Sequence, residues 1–218
     1  RLMQLRPQEN AEKSLAASVR RLRANPSGLP AIQADKAVEW AQSRAGFAFS
    51  DAQAAGVKMA LQHKVAVLTG GPGTGKTVVA LTTMLAAVAS GHQAALMAPT
   101  EVLAEQHLAS LRADLEGLTR PDEGVLGGVR PLRVALLSGK LGAPERRRLI
   151  EQIAAGDIDI VVGTHALLTD DVAFRSLGVV VIDEQHRFGV KQRTKLKAKA
   201  ELPQMLTMTA TPIPRTLA

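Results

Sequence analysis

Cysteine is absent from the 218 residues, which excludes disulfides and thiolate metal sites and suits a reducing cytoplasm. Tyrosine is absent too, and one tryptophan with four phenylalanines brings the aromatic share to 2%. Base stacking on aromatic rings is therefore not expected to dominate any contact with nucleic acid. No apolar run approaches the roughly 20 residues that cross a bilayer. No signal peptide precedes the first helical stretch, so a soluble cytoplasmic chain without membrane contact is expected. The chain begins at Arg1 rather than Met, which reads as a cut from something longer.

What is present is basic. Lysine and arginine outnumber aspartate and glutamate 27 to 20, for a formal net charge of +7. Arg187, Lys191, Arg193, Lys195, Lys197 and Lys199 follow one another with no acid between them, and Arg146-Arg147-Arg148 forms a second cluster. This distribution favours a polyanion, held through its phosphate backbone with little sequence preference.

Hydrophobic patterning divides the chain at about residue 45. Residues 1–45 read as a small helical segment, with alanine-rich stretches at 11–23 and 31–44 broken by Asn25-Pro26-Ser27-Gly28-Leu29-Pro30. Ser50 or Asp51 can cap a further helix running to about His63. Residues 46–218 then alternate short apolar strands with helices. Strands are expected at 65–69, 94–98, 134–137, 158–162, 179–182 and 205–208; helices at 76–89, 102–115 and 144–155. Such alternation predicts an α/β domain with a parallel central sheet covered on both faces. Residues 120–131, rich in Gly and Pro, read as a loop, and Met97, Met205 and Met208 as core.

Two motifs carry chemistry. Gly70-Gly71-Pro72-Gly73-Thr74-Gly75-Lys76-Thr77 fits the P-loop pattern between a strand and a helix. Its glycines let backbone amides converge on a phosphate, helped by the positive helix end. Lys76 is expected to reach the β- and γ-phosphates of ATP, and the Thr77 hydroxyl to ligate Mg²⁺. The second motif is Asp183-Glu184, where the apolar strand 179–182 ends in two carboxylates. Open α/β sheets place ligands at that end. Asp183 is the expected Mg²⁺ ligand, and Glu184 the group that polarises the attacking water. Gln53, 17 residues before Gly70, offers an amide suited to adenine, or is simply an exposed helix-start residue. Thr209-Ala210-Thr211 can relay nucleotide state or merely cap a turn. His165 and His186 lack ligand-spaced partners, so no histidine metal site is expected.

From about Val78 to Ala218 the chain resembles the first motor domain of the RecG family of superfamily 2 DNA helicases. The runs that carry the likeness are Met97–His107, Val161–Leu168, Asp183–Val190 and Thr209–Leu217. From Leu22 to Thr77 it resembles instead RecD-family superfamily 1 helicases, through Leu29-Pro30, Ala34-Asp35-Lys36-Ala37, Ser50-Asp51-Ala52-Gln53 and Val67–Thr77. A chimera joined at the P-loop is the reading these two likenesses imply.

The resemblance implies a RecA-like fold and further roles. Pro99, Thr100, Gly163 and Thr164 match elements that touch a DNA strand backbone, with Ser138-Gly139 as a third such element. Gln185, His186, Thr209 and Thr211 match positions that couple ATP state to DNA. Gln53 matches the adenine-reading glutamine. RecG-like motors hold ATP between two RecA-like domains, and the sequence ends seven residues after Thr211. The second domain, with its arginine finger, is therefore expected to be missing. That implies weak ATP binding, slow hydrolysis at best and no unwinding by this chain alone.

Overall fold

A computed structural model describes residues 32–121, 128–184 and 203–210, together with Ala17 and Arg20. The expected helix at 11–23, apart from those two residues, lies outside the described residues. So does the basic run 187–199.

Helices α1 (Ala34–Ala45) and α2 (Asp51–Gln62) lead into strand β1 (Val65–Thr69). Then come α3 (Lys76–Ala89), β2 (Gln93–Met97), α4 (Glu101–Asp114) and the short strands β3 (Thr119–Pro121) and β4 (Val129–Pro131). The chain continues through β5 (Val134–Leu137), α5 (Ala143–Ala155), β6 (Ile160–Gly163), a 3₁₀ turn (His165–Leu168), β7 (Leu177–Asp183) and β8 (Gln204–Thr209). Six strands form one parallel sheet in the order β1-β8-β7-β2-β6-β5.

The central strands are largely apolar because both faces are covered. Ala94, Leu96, Ile160, Val162, Val179 and Val181 pack into a core with α1, α2, α3 and α4. Their neighbours Ala95, Met97, Val161, Val180 and Ile182 point the other way, against Ile153 of α5 and Leu167. A period of two thus builds two cores from one set of strands. Met97 and Met208 are buried in them, and Met205 is half-buried.

Polar residues at strand entrances fasten the layers. Gln93 is buried, and its amide nitrogen donates to Ile153 O (2.9 Å) and Ile158 O (2.8 Å) while its oxygen accepts from Ser176 N (3.1 Å). Gln204, also buried, donates to Leu61 O at 3.0 Å. Each holds a neighbouring chain segment in register without leaving its own donors stranded.

Ala34, Val38 and Ala41 of α1 are buried in the same cluster as residues of α2 and α3. One expectation needs adjusting: the stretch 120–131 is not wholly loop, since β3 and β4 pair as an antiparallel hairpin. Its anchor is Asp159, fully buried, which accepts from Arg120 (2.6 Å), from Arg130 (2.7 and 2.9 Å) and from Arg133 N (2.8 Å). One carboxylate facing both strands of the hairpin substitutes for the apolar pattern a strand usually shows.

Candidate nucleotide site and nucleic-acid edge

Every motif on the described residues comes to the carboxyl end of the sheet. Thr69 pairs with Thr209, and Met208 with Asp183, so β1, β8 and β7 end side by side. The row continues through Ile182–Met97, Met97–Gly163 and Gly163–Leu137 pairings. One half of the edge carries the P-loop, Thr209 and Asp183-Glu184. The other half carries Pro99-Thr100, Gly163-Thr164 and Ser138-Gly139.

The P-loop is tied down through its carbonyls. Lys76 Nζ donates to Gly70 O (2.6 Å) and Gly71 O (2.8 Å), and the Thr74 hydroxyl donates to Gly71 O (2.9 Å). Gln53 Nε2 donates to Thr74 O at 3.3 Å. The amides of Gly73, Thr74, Gly75, Lys76 and Thr77 have no acceptor among the described residues. Carbonyls bound and amides free is the arrangement that receives an anion. Gly75 caps α3 with φ 81°, and a Cβ there would sit 2.0 Å from Gln53 Nε2. Only glycine meets both demands.

Gln53 has a second duty. It and Ser50 form a capping box at the start of α2: Gln53 Oε1 accepts from Ser50 N (2.9 Å), and Ser50 Oγ accepts from Gln53 N (3.3 Å). Both ends of the Gln53 amide are thus engaged within the chain.

Asp183 closes β7 with its side chain 16% exposed, and Oδ2 accepts from His107 Nε2 at 2.9 Å. Glu184 follows at φ 48°, the one non-glycine residue with positive φ among those described. That conformation costs roughly 1–2 kcal/mol. Glu184 N donates to Met208 O (2.9 Å), and Ala210 N donates to Glu184 Oε1 (3.2 Å). The end of β8 and the second carboxylate are therefore in direct contact. Thr209 is buried, whereas Gln185, His186 and Thr211 lie outside the described residues.

Thr77 and Asp183 supply a hydroxyl and a carboxylate, the oxygen donors that suit Mg²⁺. His107 and Thr77 also line one narrow cavity with Met208. The residues fit the ion. His165 is exposed, and no cluster of three His, Asp or Glu able to hold a metal occurs among the described residues.

On the other half of the edge, the Thr100 hydroxyl caps α4, accepting from Leu103 N at 3.3 Å. Thr100 and Gly139 are exposed, Pro99 is half-buried, and Ser138, Gly163 and Thr164 are buried. Gly163 has no room for a side chain, since a Cβ would lie 2.8 Å from Leu137 O. Glu101 joins these loops: its Oε1 accepts from the Thr164 hydroxyl (3.0 Å) and from Gly139 N (3.3 Å). Burial pushes the Glu101 carboxyl up, but hydrogen bonds from Ser138, Gly139 and Thr164 and the Lys140 charge outweigh it. The group stays below the ordinary glutamate value.

Glu101 and His107 received no role of their own in the sequence reading. The signal was available in helical spacing. Ala104 and Leu111 are the buried residues of α4, and Glu101 and His107 fall on that same face at intervals of three and four. Polar residues on the inward stripe of a helix mark an internal contact.

The cavity of about 490 Å³ between α1, α3 and the β3–β4 hairpin, lined by Trp40, Leu85 and Leu132 among others, includes none of the P-loop or carboxylate residues.

A cradle of amides without acceptors among the described residues, where the loop after β1 enters α3, with paired carboxylates at the end of β7 two strands away, defines a RecA-like P-loop nucleotide-binding domain. Comparison with known proteins narrows this class. The DEAD/DEAH box helicase family matches residues 50–218, and the chain belongs to that family. It is 51% identical over 156 residues to the ATP-dependent DNA helicase RecG of Streptococcus pneumoniae serotype 4, covering 72% of this chain and 21% of that protein. The RecG of Mycobacterium bovis is 53% identical over 156 residues, 70% of this chain and 21% of that one. This chain thus spans about a fifth of the length of these curated relatives.

Among solved structures it is similar to RecG bound to a three-way DNA junction. The TM-score is 0.73 at 30% identity, covering 95% of this chain and 27% of that chain. The helicase Lhr of Mycobacterium smegmatis, solved with single-stranded DNA and AMP-PNP, shares the fold at TM-score 0.62 and 19% identity, over 87% of this chain and 26% of that chain.

Proposed function

We propose that this chain is the ATP-binding first motor domain of a RecG-like DNA helicase, working in the cytoplasm against a second RecA-like domain. The observation that carries the reading is the row of five amides, Gly73 to Thr77, that have no acceptor among the described residues, on the same sheet edge as Asp183 and Glu184. The phosphates of ATP take the amides and Lys76; Thr77 and Asp183 hold Mg²⁺, which neutralises phosphate charge when bound. Glu184 accepts the proton of the attacking water, its carboxylate held in place by Ala210 N–H. Gln53 reads adenine by exchanging its capping-box or P-loop bond for the base.

DNA is the partner of the other half-edge, whose loops carry Pro99, Thr100, Ser138, Gly139, Gly163 and Thr164: the exposed Thr100 and Gly139 meet the backbone rather than bases, and the buried Ser138, Gly163 and Thr164 shape the loops behind them. Gln185, His186, Thr209 and Thr211 couple the two halves. An arginine finger contributes about 10³–10⁵ in rate in well-studied phosphoryl transfer. Assayed apart from any second motor domain, these 218 residues are expected to turn over slowly and to separate no strands. The two-lineage reading, RecD-like from about residue 22 to Thr77 and RecG-like beyond, rests on the motif likenesses alone, and the RecG structure that matches 95% of the chain argues against it. The family match from residue 50 runs through Thr77 without a break and argues against it. A single best parental match across Thr77 would end it.

The test is phosphate release from Mg-ATP, with and without single-stranded and forked DNA, beside Lys76→Ala. DNA-stimulated turnover lost in the variant supports the motor reading. Turnover no higher than in the variant leaves a nucleotide-binding scaffold.

A further inference from the structure

We propose that Glu101 is the positioning residue of the nucleic-acid edge, a single carboxylate that sets the spacing of the three loops that meet the strand backbone. The inference rests on the reading of that half-edge as DNA-binding.

The loops come from different strands. Thr100 follows β2, Ser138-Gly139 follows β5, and Thr164 follows β6. They are distant in sequence, with 38 residues between Glu101 and Gly139 and 63 between Glu101 and Thr164. Glu101 is the first residue of α4 and directly follows Thr100, so its backbone is fixed by the Thr100 cap. From there Oε1 accepts from both other loops at once.

A carboxylate in this place invites a different explanation, that it occupies donors meant for a phosphate. Burial argues against it. Thr164 is 3% exposed and Ser138 is 4% exposed, so neither hydroxyl is open to a polymer. Glu101 Oε2 is itself a buried atom without a hydrogen-bond partner among the described residues. The tie is internal, and what it leaves outside is the exposed rim of Thr100, Gly139 and Lys140. Lys140, 67% exposed, leans on Glu105 at 2.9 Å, one turn along α4 from Glu101. The rim cation is thus referred to the same helix.

Charge and position make opposite demands, which gives the test its sign. A carboxylate near a phosphate track repels it, so removing the charge alone tightens DNA binding. Losing the tie loosens the loops and weakens it. Glu101→Gln removes the charge and keeps an acceptor oxygen; Glu101→Ala removes both.

The experiment measures binding of a fluorescein-labelled single-stranded oligonucleotide by anisotropy at low salt, for the full chain and both variants. Binding of a fluorescent ATP analogue and exchange of the Gly139 amide are followed alongside. The expected result is DNA affinity roughly tenfold weaker in Glu101→Ala, equal or tighter in Glu101→Gln, and ATP-analogue affinity unchanged in both. Gly139 exchanges faster in Glu101→Ala only. If Glu101→Ala binds DNA as tightly as the parent, the carboxylate is no more than a repelling charge and the proposal is overturned. If the parent chain itself retains no DNA, the DNA reading of this edge falls and takes the proposal with it.

Discussion

His107 Nε2 lies 2.9 Å from Asp183 Oδ2, joining the inward face of α4 to the last residue of β7. An ionised carboxylate only accepts, so Nε2 carries the hydrogen and the ring fixes which way Asp183 points. Helix α4 begins at the nucleic-acid edge and, two turns later, touches the proposed metal ligand.

His107→Ala should raise the Mg²⁺ concentration needed for half-maximal ATP binding by about tenfold, the lower end of typical outer-shell effects. His107→Gln, which can still donate to Oδ2, should recover most of it. A Mg²⁺ titration of fluorescent-ATP binding reads the difference. Equal midpoints in all three proteins would show that Asp183 orients itself.

Gly75→Ala should damage the loop more than the fold. The left-handed φ of 81° costs a Cβ residue roughly 1–2 kcal/mol, and the Gln53 amide must vacate its place. The expectation is a folded protein with a lowered melting temperature and ATP binding reduced by at least an order of magnitude. Thermal unfolding and equilibrium binding on one preparation decide it.

Asp159→Ala should be severe. It leaves the Arg120 and Arg130 guanidiniums, each about one-eighth exposed, without their shared counterion. Breaking one partner of a buried ion pair costs about 3–5 kcal/mol, against a usual total of about 5–15. Urea unfolding should show a much lower midpoint, with the hairpin amides deprotected first in hydrogen exchange.

Glu101 gives stability a pH dependence of defined sign. Its folded-state pKa is depressed, so its contribution is present above the unfolded value, about 4.3, and lost as pH falls through the folded one. The melting-temperature advantage of the parent over Glu101→Gln should therefore shrink steadily below about pH 4.3. An advantage that grows on acidification would contradict the direction.

The sequence was most legible where one local rule dictated the outcome. Val65–Thr69, Lys76–Ala89 and Val134–Leu137 have the bounds their patterning predicts, because an apolar strand or a glycine-to-helix junction leaves little choice. The β3–β4 hairpin was illegible because its anchor is not in it: Asp159 sits some 30 residues away from Arg130. Helix α1 looked separate because its core-facing residues, Ala34, Val38 and Ala41, are small, while the core they join is built by α2 and α3. At the site, Lys76 and Asp183 announce themselves by motif. Helical spacing turns Glu101 and His107 inward, but the partners they meet, like the one Ala210 meets, lie on other elements, and no local spacing encodes those.

The order of strands along the carboxyl edge has a metric consequence. β2, β6 and β5 are neighbours, and adjacent strands lie about 4.8 Å apart. Their three loops therefore span about 10 Å, the length of about three phosphates at 3.4 Å per nucleotide of one B-form strand. If the proposed DNA reading holds, a surface that short and that poor in aromatic rings grips a strand at a point, registering where the backbone is while remaining indifferent to which bases it carries.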